Sequence, residues 1–314
     1  MMQRLLPFFT LIALFVGLSL ASPHFLTSAN LGSVIRQTAV LNIMALGMTM
    51  IIIAGGIDLS VGAILALSGL LGCMLMTSGY PVWMGLCAGV VVGAACGLAN
   101  GLMTAKLRIN PFIVTLGTMG IYRGVSLILS GGLGVHSLPK GFSYLGEGSV
   151  LGIPFVLLVL LICGAVVHVL LEHTRLGRYA FAIGSNPDAA FYAGIPVAFH
   201  TSAIYAAGGL LAGLAGMIEA SRLMTGQPTA GQGYELQAIA AVVIGGGSLR
   251  GGAGSVVGTL IGAFIMGLLS NGSDLLGISP YVQQALIGAV IILAVWLDEL
   301  RKRSAGVGGG LLNR

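Results

Sequence analysis

Apolar residues run through this chain in long blocks, separated by short polar or glycine-rich connections. One block covers 5–21, just after Arg4, and others follow at about 32–54, 61–79, 81–104, 111–131, 150–171, 200–219, 235–248, 254–273 and 280–297. Runs of roughly 20 apolar residues suffice to cross a hydrocarbon layer as helices. The pattern predicts an all-α fold, a polytopic transmembrane helix bundle of about ten spans. The 235–248 run is short and glycine-broken, so nine or eleven crossings stay open. The first block ends in Ser19-Leu20-Ala21 and has the outline of a secretory signal, but no exported soluble body follows it. An uncleaved first span fits better.

Composition narrows the class further. Of 314 residues, 56% are hydrophobic and only 7% are charged, whereas a soluble domain carries about a quarter charged residues. A water-soluble globule is excluded. The net charge of +5 does not point to nucleic acid, because the basic residues are scattered rather than gathered on one face. Their placement sets an orientation instead, since Lys and Arg favour cytoplasmic loops. With the N-terminus inside, ten fall on the inner side: Arg4, Lys106, Arg108, Arg175, Arg178, Arg250, Arg301, Lys302, Arg303 and Arg314. Three fall outside (Arg36, Lys140, Arg222), and Arg123 lies within a span. Both termini are therefore expected in the cytoplasm.

Catalytic chemistry is not visible. The five histidines are dispersed without ligand spacing, and the four cysteines sit singly in apolar runs, so no metal site is expected. No phosphate-cradling G-x-x-x-x-G-K-[ST] is present, which removes a nucleotide site of that type. The adjacent Asp298 and Glu299 stand beside Arg301-Lys302-Arg303 and read as a juxtamembrane charge cluster. No enzyme and no bound cofactor are expected.

Glycine is patterned. Gly85, Gly89, Gly93, Gly97 and Gly101 recur every fourth residue, and Gly254, Gly258 and Gly262 repeat the arrangement. Such stripes let two helix backbones approach closely in lipid, either within one subunit or between two. Polar residues inside the blocks are Asn42, Thr49, Asn100, Thr115, Thr118 and Asn271, with Asp58 in the break Gly55-Gly56-Ile57-Asp58-Leu59-Ser60. These seven are the pathway or gate candidates. Interhelical hydrogen bonding is the competing role for the neutral ones. For Asp58 two readings stand together, a helix N-cap and a gate at membrane depth. Glu219, Glu235 and Asp274 fall at the outer ends of their spans, which argues against ion coupling.

The largest polar interruption is an island at 172–200. Asn186 and Pro187 suit a helix start, as N-cap and first helical residue. Ala189, Ala190, Phe191, Tyr192 and Ala193 follow, and Ile195-Pro196 ends the segment. Aromatic rings on a short helix outside the bundle suit a docking site.

Several longer stretches resemble the permeases of bacterial ABC importers for monosaccharides, of the ribose type, within the branched-chain amino acid and sugar permease superfamily. They are Gly47-Met48-Thr49 leading into Gly56-Ile57-Asp58-Leu59-Ser60-Val61-Gly62, then Asn110-Pro111-Phe112-Ile113-Val114-Thr115-Leu116-Gly117-Thr118, and Thr174-Arg175-Leu176-Gly177-Arg178 with Gly184-Ser185-Asn186. Gln227-Pro228-Thr229-Ala230-Gly231 with Gly233-Tyr234-Glu235-Leu236, and the runs 239–246 and 258–262, complete the set. The resemblance covers nearly the whole chain. It implies one permease domain over 1–303 in the bacterial inner membrane and a pathway at a dimer interface. The implied partners are a second permease, identical or related, a cytosolic ATP-binding-cassette ATPase and a periplasmic sugar-binding protein. The island would hold the coupling helix at about 184–194, with Arg175, Arg178, Gly184, Asn186, Pro187, Phe191, Tyr192 and Gly194 as the ATPase-coupling residues. The binding protein would dock on outer loops including 132–148 and 222–233. Two features depart from the family: Arg250 in the glycine cluster, and a glycine-rich tail at 304–314, expected to be disordered. An ion-coupled secondary carrier is the alternative from another class.

Overall fold

A computed structural model describes residues 2–309. The first helix, α1 (Met2–Ala21), is followed by α2 (Ser28–Ile53), α3 (Val61–Thr77), α4 (Val82–Ala105) and α5 (Pro111–Ser130). A longer connection carries a short α6 (Tyr144–Glu147) and an antiparallel hairpin of β1 (Ser149–Val150) and β2 (Ile153–Pro154). Then come α7 (Phe155–His173), α8 (Arg175–Ser185), α9 (Pro187–Tyr192), α10 (Val197–Leu223), α11 (Tyr234–Ile244), α12 (Val256–Leu275) and α13 (Pro280–Gly309). The protein is an all-α polytopic bundle. Among the described residues, α2, α4, α5, α7, α10 and α12 are long and apolar enough to cross a membrane, and four shorter apolar stretches lie in α1, α3, α11 and α13. Of the tail at 304–314, residues 304–309 continue α13 and 310–314 lie outside the described residues.

Local chemistry explains where the helices begin. Thr27 caps α2 by accepting from the Asn30 amide, and Ser255 caps α12 through Gly258. Asn110 caps α5 with Pro111 in the first turn, where a missing N–H costs nothing. Each cap satisfies an amide that has no partner within its own helix.

The glycine stripes resolve to packing inside one subunit. Gly93 and Gly97 on α4 lie against Gly209 on α10, and Gly101 lies against Ser202. A Cβ on Gly97 would overlap the Tyr205 carbonyl, so the two backbones touch only because no side chain intervenes. On α12, Gly258 and Gly262 meet Gly245 and Ala241 in the same manner. α2 forms the centre, with every residue from Thr38 to Ile53 buried. α4, α5 and α7 keep most of their surface outside, as helices facing lipid or a partner do.

Two ends can be told apart by what meets there. At one end the Ile53 carbonyl accepts from the Gly252 amide at 2.9 Å, and Gly184 packs on both. This is the island end. At the opposite end, Arg36 pairs with Glu147 at 3.2 Å, and the Gly146 amide donates to Ser221 at 2.8 Å. Val135 and Gly226 form a short bridge there.

Candidate functional site

The island folds as two short helices rather than one. The segment expected as a helix over about 184–194 is α9, six residues long, preceded by α8, which sequence reading did not single out. α8 is amphipathic: Gly177, Ala180, Ile183 and Gly184 are buried, while Arg175 and Arg178 are exposed. Its register is fixed by the α7–α8 turn, where a Cβ on Gly177 would overlap the Leu171 carbonyl. Tyr179 stacks edge-on against His200 at 4.7 Å, joining α8 to the start of α10. Asn186 accepts from the Ala189 amide at 2.9 Å, with Pro187 in the first turn of α9. That cap was legible in the sequence.

The eight coupling candidates divide by exposure. Arg175, Arg178, Asn186, Pro187, Phe191, Tyr192 and Gly194 face outward, whereas Gly184 is buried. Phe191 is 65% exposed and Tyr192 86%, with ring centroids 5.8 Å apart. Adjacent exposed aromatic rings are the residue type enriched where proteins bind one another.

The seven pathway candidates are all buried within the single chain. Asp58, Asn100 and Thr115 come together. Asp58 Oδ1 accepts from the Ser60 amide at 2.8 Å and the Ser60 hydroxyl at 2.6 Å. Asn100 Nδ2 donates to Ser60 Oγ at 2.8 Å and to Asp58 Oδ2 at 3.3 Å. Tyr122 donates to Asn100 Oδ1 at 3.2 Å, while Thr115 and Tyr205 both donate to the Ile57 carbonyl. Three helices, α4, α5 and α10, thus converge on the break between α2 and α3. The N-cap expectation for Asp58 is corrected: its carboxylate binds the amide of Ser60, ahead of the helix, as in an Asx turn. Ser60, Tyr122 and Tyr205 were not singled out by sequence, although Ser60 stood within the quoted motif.

The other four candidates lie elsewhere. Thr49 shares a 2.6 Å hydrogen bond with Thr259, joining α2 to α12. Asn271 exchanges hydrogen bonds with Asn30 at 2.8 and 3.2 Å. Asn42 donates to Thr38 and Thr118 to Thr115, each within its own helix. Side chains that bond across helices in this way hold a membrane bundle together.

The segment at 224–233 corrects an expectation. It does not project as an outer loop; it folds back along α3. Gly226 packs on Cys73 and Leu70, and Gly231 reaches Gly62 and Leu65. Gly62 stands eleven residues before Cys73, so the segment descends about 16 Å along the helix between Gly226 and Gly231. Consequently α11 starts deep in the bundle, and Glu235 lies beside the first turn of α3 rather than at an outer end. Arg123 on α5 holds the segment, donating from one guanidinium nitrogen to the Pro228 carbonyl at 2.7 Å and to the Ala230 carbonyl at 2.9 Å. Glu235 accepts from the Gly233 amide at 3.2 Å. Irregular backbone at this depth persists only where protein groups satisfy it.

Comparison with known proteins agrees with this architecture. The family described as branched-chain amino acid transport system / permease component matches residues 30–295. The ribose import permease protein RbsC of Bacillus subtilis is 46% identical over 306 residues, covering 97% of this chain and 94% of that protein. The protein of the same name from Escherichia coli K12 is 44% identical, covering 93% and 92%. The D-allose transport system permease protein AlsC of E. coli K12 is 39% identical, covering 93% and 90%. No solved structure matches. Matched along nearly its whole length and folded as a multi-pass helical bundle, the chain belongs to the branched-chain amino acid transport system / permease component family and is a membrane permease, not an enzyme.

Proposed function

We propose that this chain is the membrane subunit of a bacterial ATP-binding-cassette importer, moving a ribose-like monosaccharide across the inner membrane. The carrying observation is the capped, outward-facing α9 with Phe191 and Tyr192 exposed on an otherwise apolar protein. A cytosolic ATPase docks there, and ATP binding and hydrolysis move the island. A second permease, identical or related, completes the pathway along a shared interface, while the buried Asp58–Asn100–Thr115 cluster shapes it from behind. A periplasmic binding protein delivers sugar to the 132–148 loop and the adjoining hairpin, whose Leu151 is 98% exposed. The chain crosses ten times, with both termini in the cytoplasm. The separation of the two ends supports this: 53–58, 184–185 and 251–254 gather at one, and 131–148 with 221–226 at the other.

Proteoliposomes test the reading. Labelled ribose is expected to enter only when the permease, its cognate ATPase, ATP and loaded binding protein are all present. Uptake by the permease alone under a proton or sodium gradient would instead establish an ion-coupled carrier, for which Asp58 and Glu235 are the carboxylates at suitable depth.

A further inference from the structure

Gly184 was grouped with the docking residues, yet it is buried, and its surroundings give it a different task. Its backbone lies on the hydrogen bond between the Ile53 carbonyl and the Gly252 amide. A Cβ added to Gly184 would overlap the Ile53 oxygen and stand 2.7 Å from the Gly252 nitrogen. Gly251 and Gly252 have φ of 86° and 72°, which brings their backbone within reach of α8. A Cβ on Gly251 would lie 2.9 Å from the Cα atoms of both Gly184 and Gly55. Three strands of backbone therefore meet with no side chain between them.

What leaves this junction matters. Ile53 is the last residue of α2, and the next residues lead to Ile57 and Asp58 in the buried polar cluster. The stretch holding Gly251 and Gly252 joins α12 to α11, the half-length helix that starts beside Gly62. On the other side, Gly184 is separated from Pro187, the first residue of α9, by Ser185 and the cap Asn186 alone. The Asn186 amide also donates to Ala182, so α8 and α9 turn as one piece. Close-packed backbone has little compliance and transmits displacement instead of absorbing it.

We infer that Gly184, Ile53 and Gly252 form the mechanical link by which movement of α9 reaches the two irregular segments inside the bundle. Gly184 is a positioning residue: it touches neither sugar nor ATPase. The inference rests on the docking role proposed for α9. A Cβ at position 184 lifts α8 off the Ile53–Gly252 bond and leaves the exposed face of α9 unchanged.

The test uses the full importer with its ATPase and binding protein. Gly184→Ala is expected to assemble with the ATPase and hydrolyse ATP at the basal rate. Its binding-protein-stimulated hydrolysis and its uptake fall by roughly 10–100-fold, the scale of a coupling free energy. Gly252→Ala disturbs the same junction from the other side: its Cβ meets chiefly the movable Ser185 hydroxyl, but a φ of 72° strains any side chain there, and a loss in the same two readouts is expected. Normal stimulation and uptake in both variants would overturn the inference. So would loss of assembly in step with loss of uptake in both, which would mark a purely structural role. If the ATPase also docks normally on a permease carrying Phe191→Glu and Tyr192→Glu, the docking reading itself fails, a result separate from either.

Discussion

A permease carrying Phe191→Glu and Tyr192→Glu loses its ATPase but remains folded in the membrane. Neither ring is inside the bundle, at 65% and 86% exposed, so their removal deletes no core contact. Surface changes away from caps and packing usually stay within about 0.5 kcal/mol of the parent in stability. At an interface the same rings are the residue type that carries binding, at about 2 kcal/mol or more for a central aromatic. That is roughly 30-fold in affinity for each ring, and a buried glutamate adds a desolvation cost. Co-purification of the ATPase from detergent should fall to background, while the thermal midpoint of the isolated permease moves little. Retention of the ATPase at parental stoichiometry would remove α9 from the docking site.

Arg123→Met produces the other large effect, and here it is the fold that suffers. The guanidinium is the donor for two carbonyls of a segment that folds back along α3 inside the bundle. Removing it leaves the Pro228 and Ala230 carbonyls without their donor, at a cost of about 1–3 kcal/mol for each group left unpaired. Arg123→Lys keeps a charged donor but on a shorter side chain that does not place it at both carbonyls, so it should recover only part of the loss. Both residues hold the same segment, so combining Arg123→Met with Glu235→Gln should be less harmful than the sum of the two changes. Thermal unfolding of four purified variants (Arg123→Met, Arg123→Lys, Glu235→Gln and the double Arg123→Met/Glu235→Gln), followed by sugar uptake, measures this. Unfolding at the parental temperature with parental uptake for Arg123→Met would show that the 224–233 segment needs no anchor.

The contrast between these two residues shows what a sequence can carry. α9 was readable because its signals are local: Asn186, Pro187 and two aromatics within a polar island. The spans were readable for the same reason, since long apolar runs have few other uses. The course of 224–233 was not. Gln227, Pro228, Thr229 and Gly231 have the composition of any surface loop, and their depth is set by Gly62 on α3 and Arg123 on α5, far away in the chain. Sequence did flag α11 as short and glycine-broken, without the means to say that it begins inside. The polar cluster was half visible. Asp58, Asn100 and Thr115 stood out as polar residues in apolar surroundings, whereas Tyr122 and Tyr205 passed for ordinary membrane aromatics until their hydroxyls met Asn100 and the Ile57 carbonyl. α8 was missed because it is only eleven residues long and lies within the polar island, where Arg175 and Arg178 draw attention away from its one buried face.

The docking role of the island requires that it face the cytoplasm, and one labelling experiment decides it. Tyr192→Cys is placed in a permease whose Cys73, Cys87, Cys96 and Cys163 are replaced by alanine, then treated with a membrane-impermeant maleimide. Intact cells with a permeabilised outer membrane should show no labelling. Inverted vesicles should label fully once the ATPase is stripped and poorly while it is bound. Labelling of position 192 from the periplasmic side would contradict the orientation and, with it, the motor-driven mechanism.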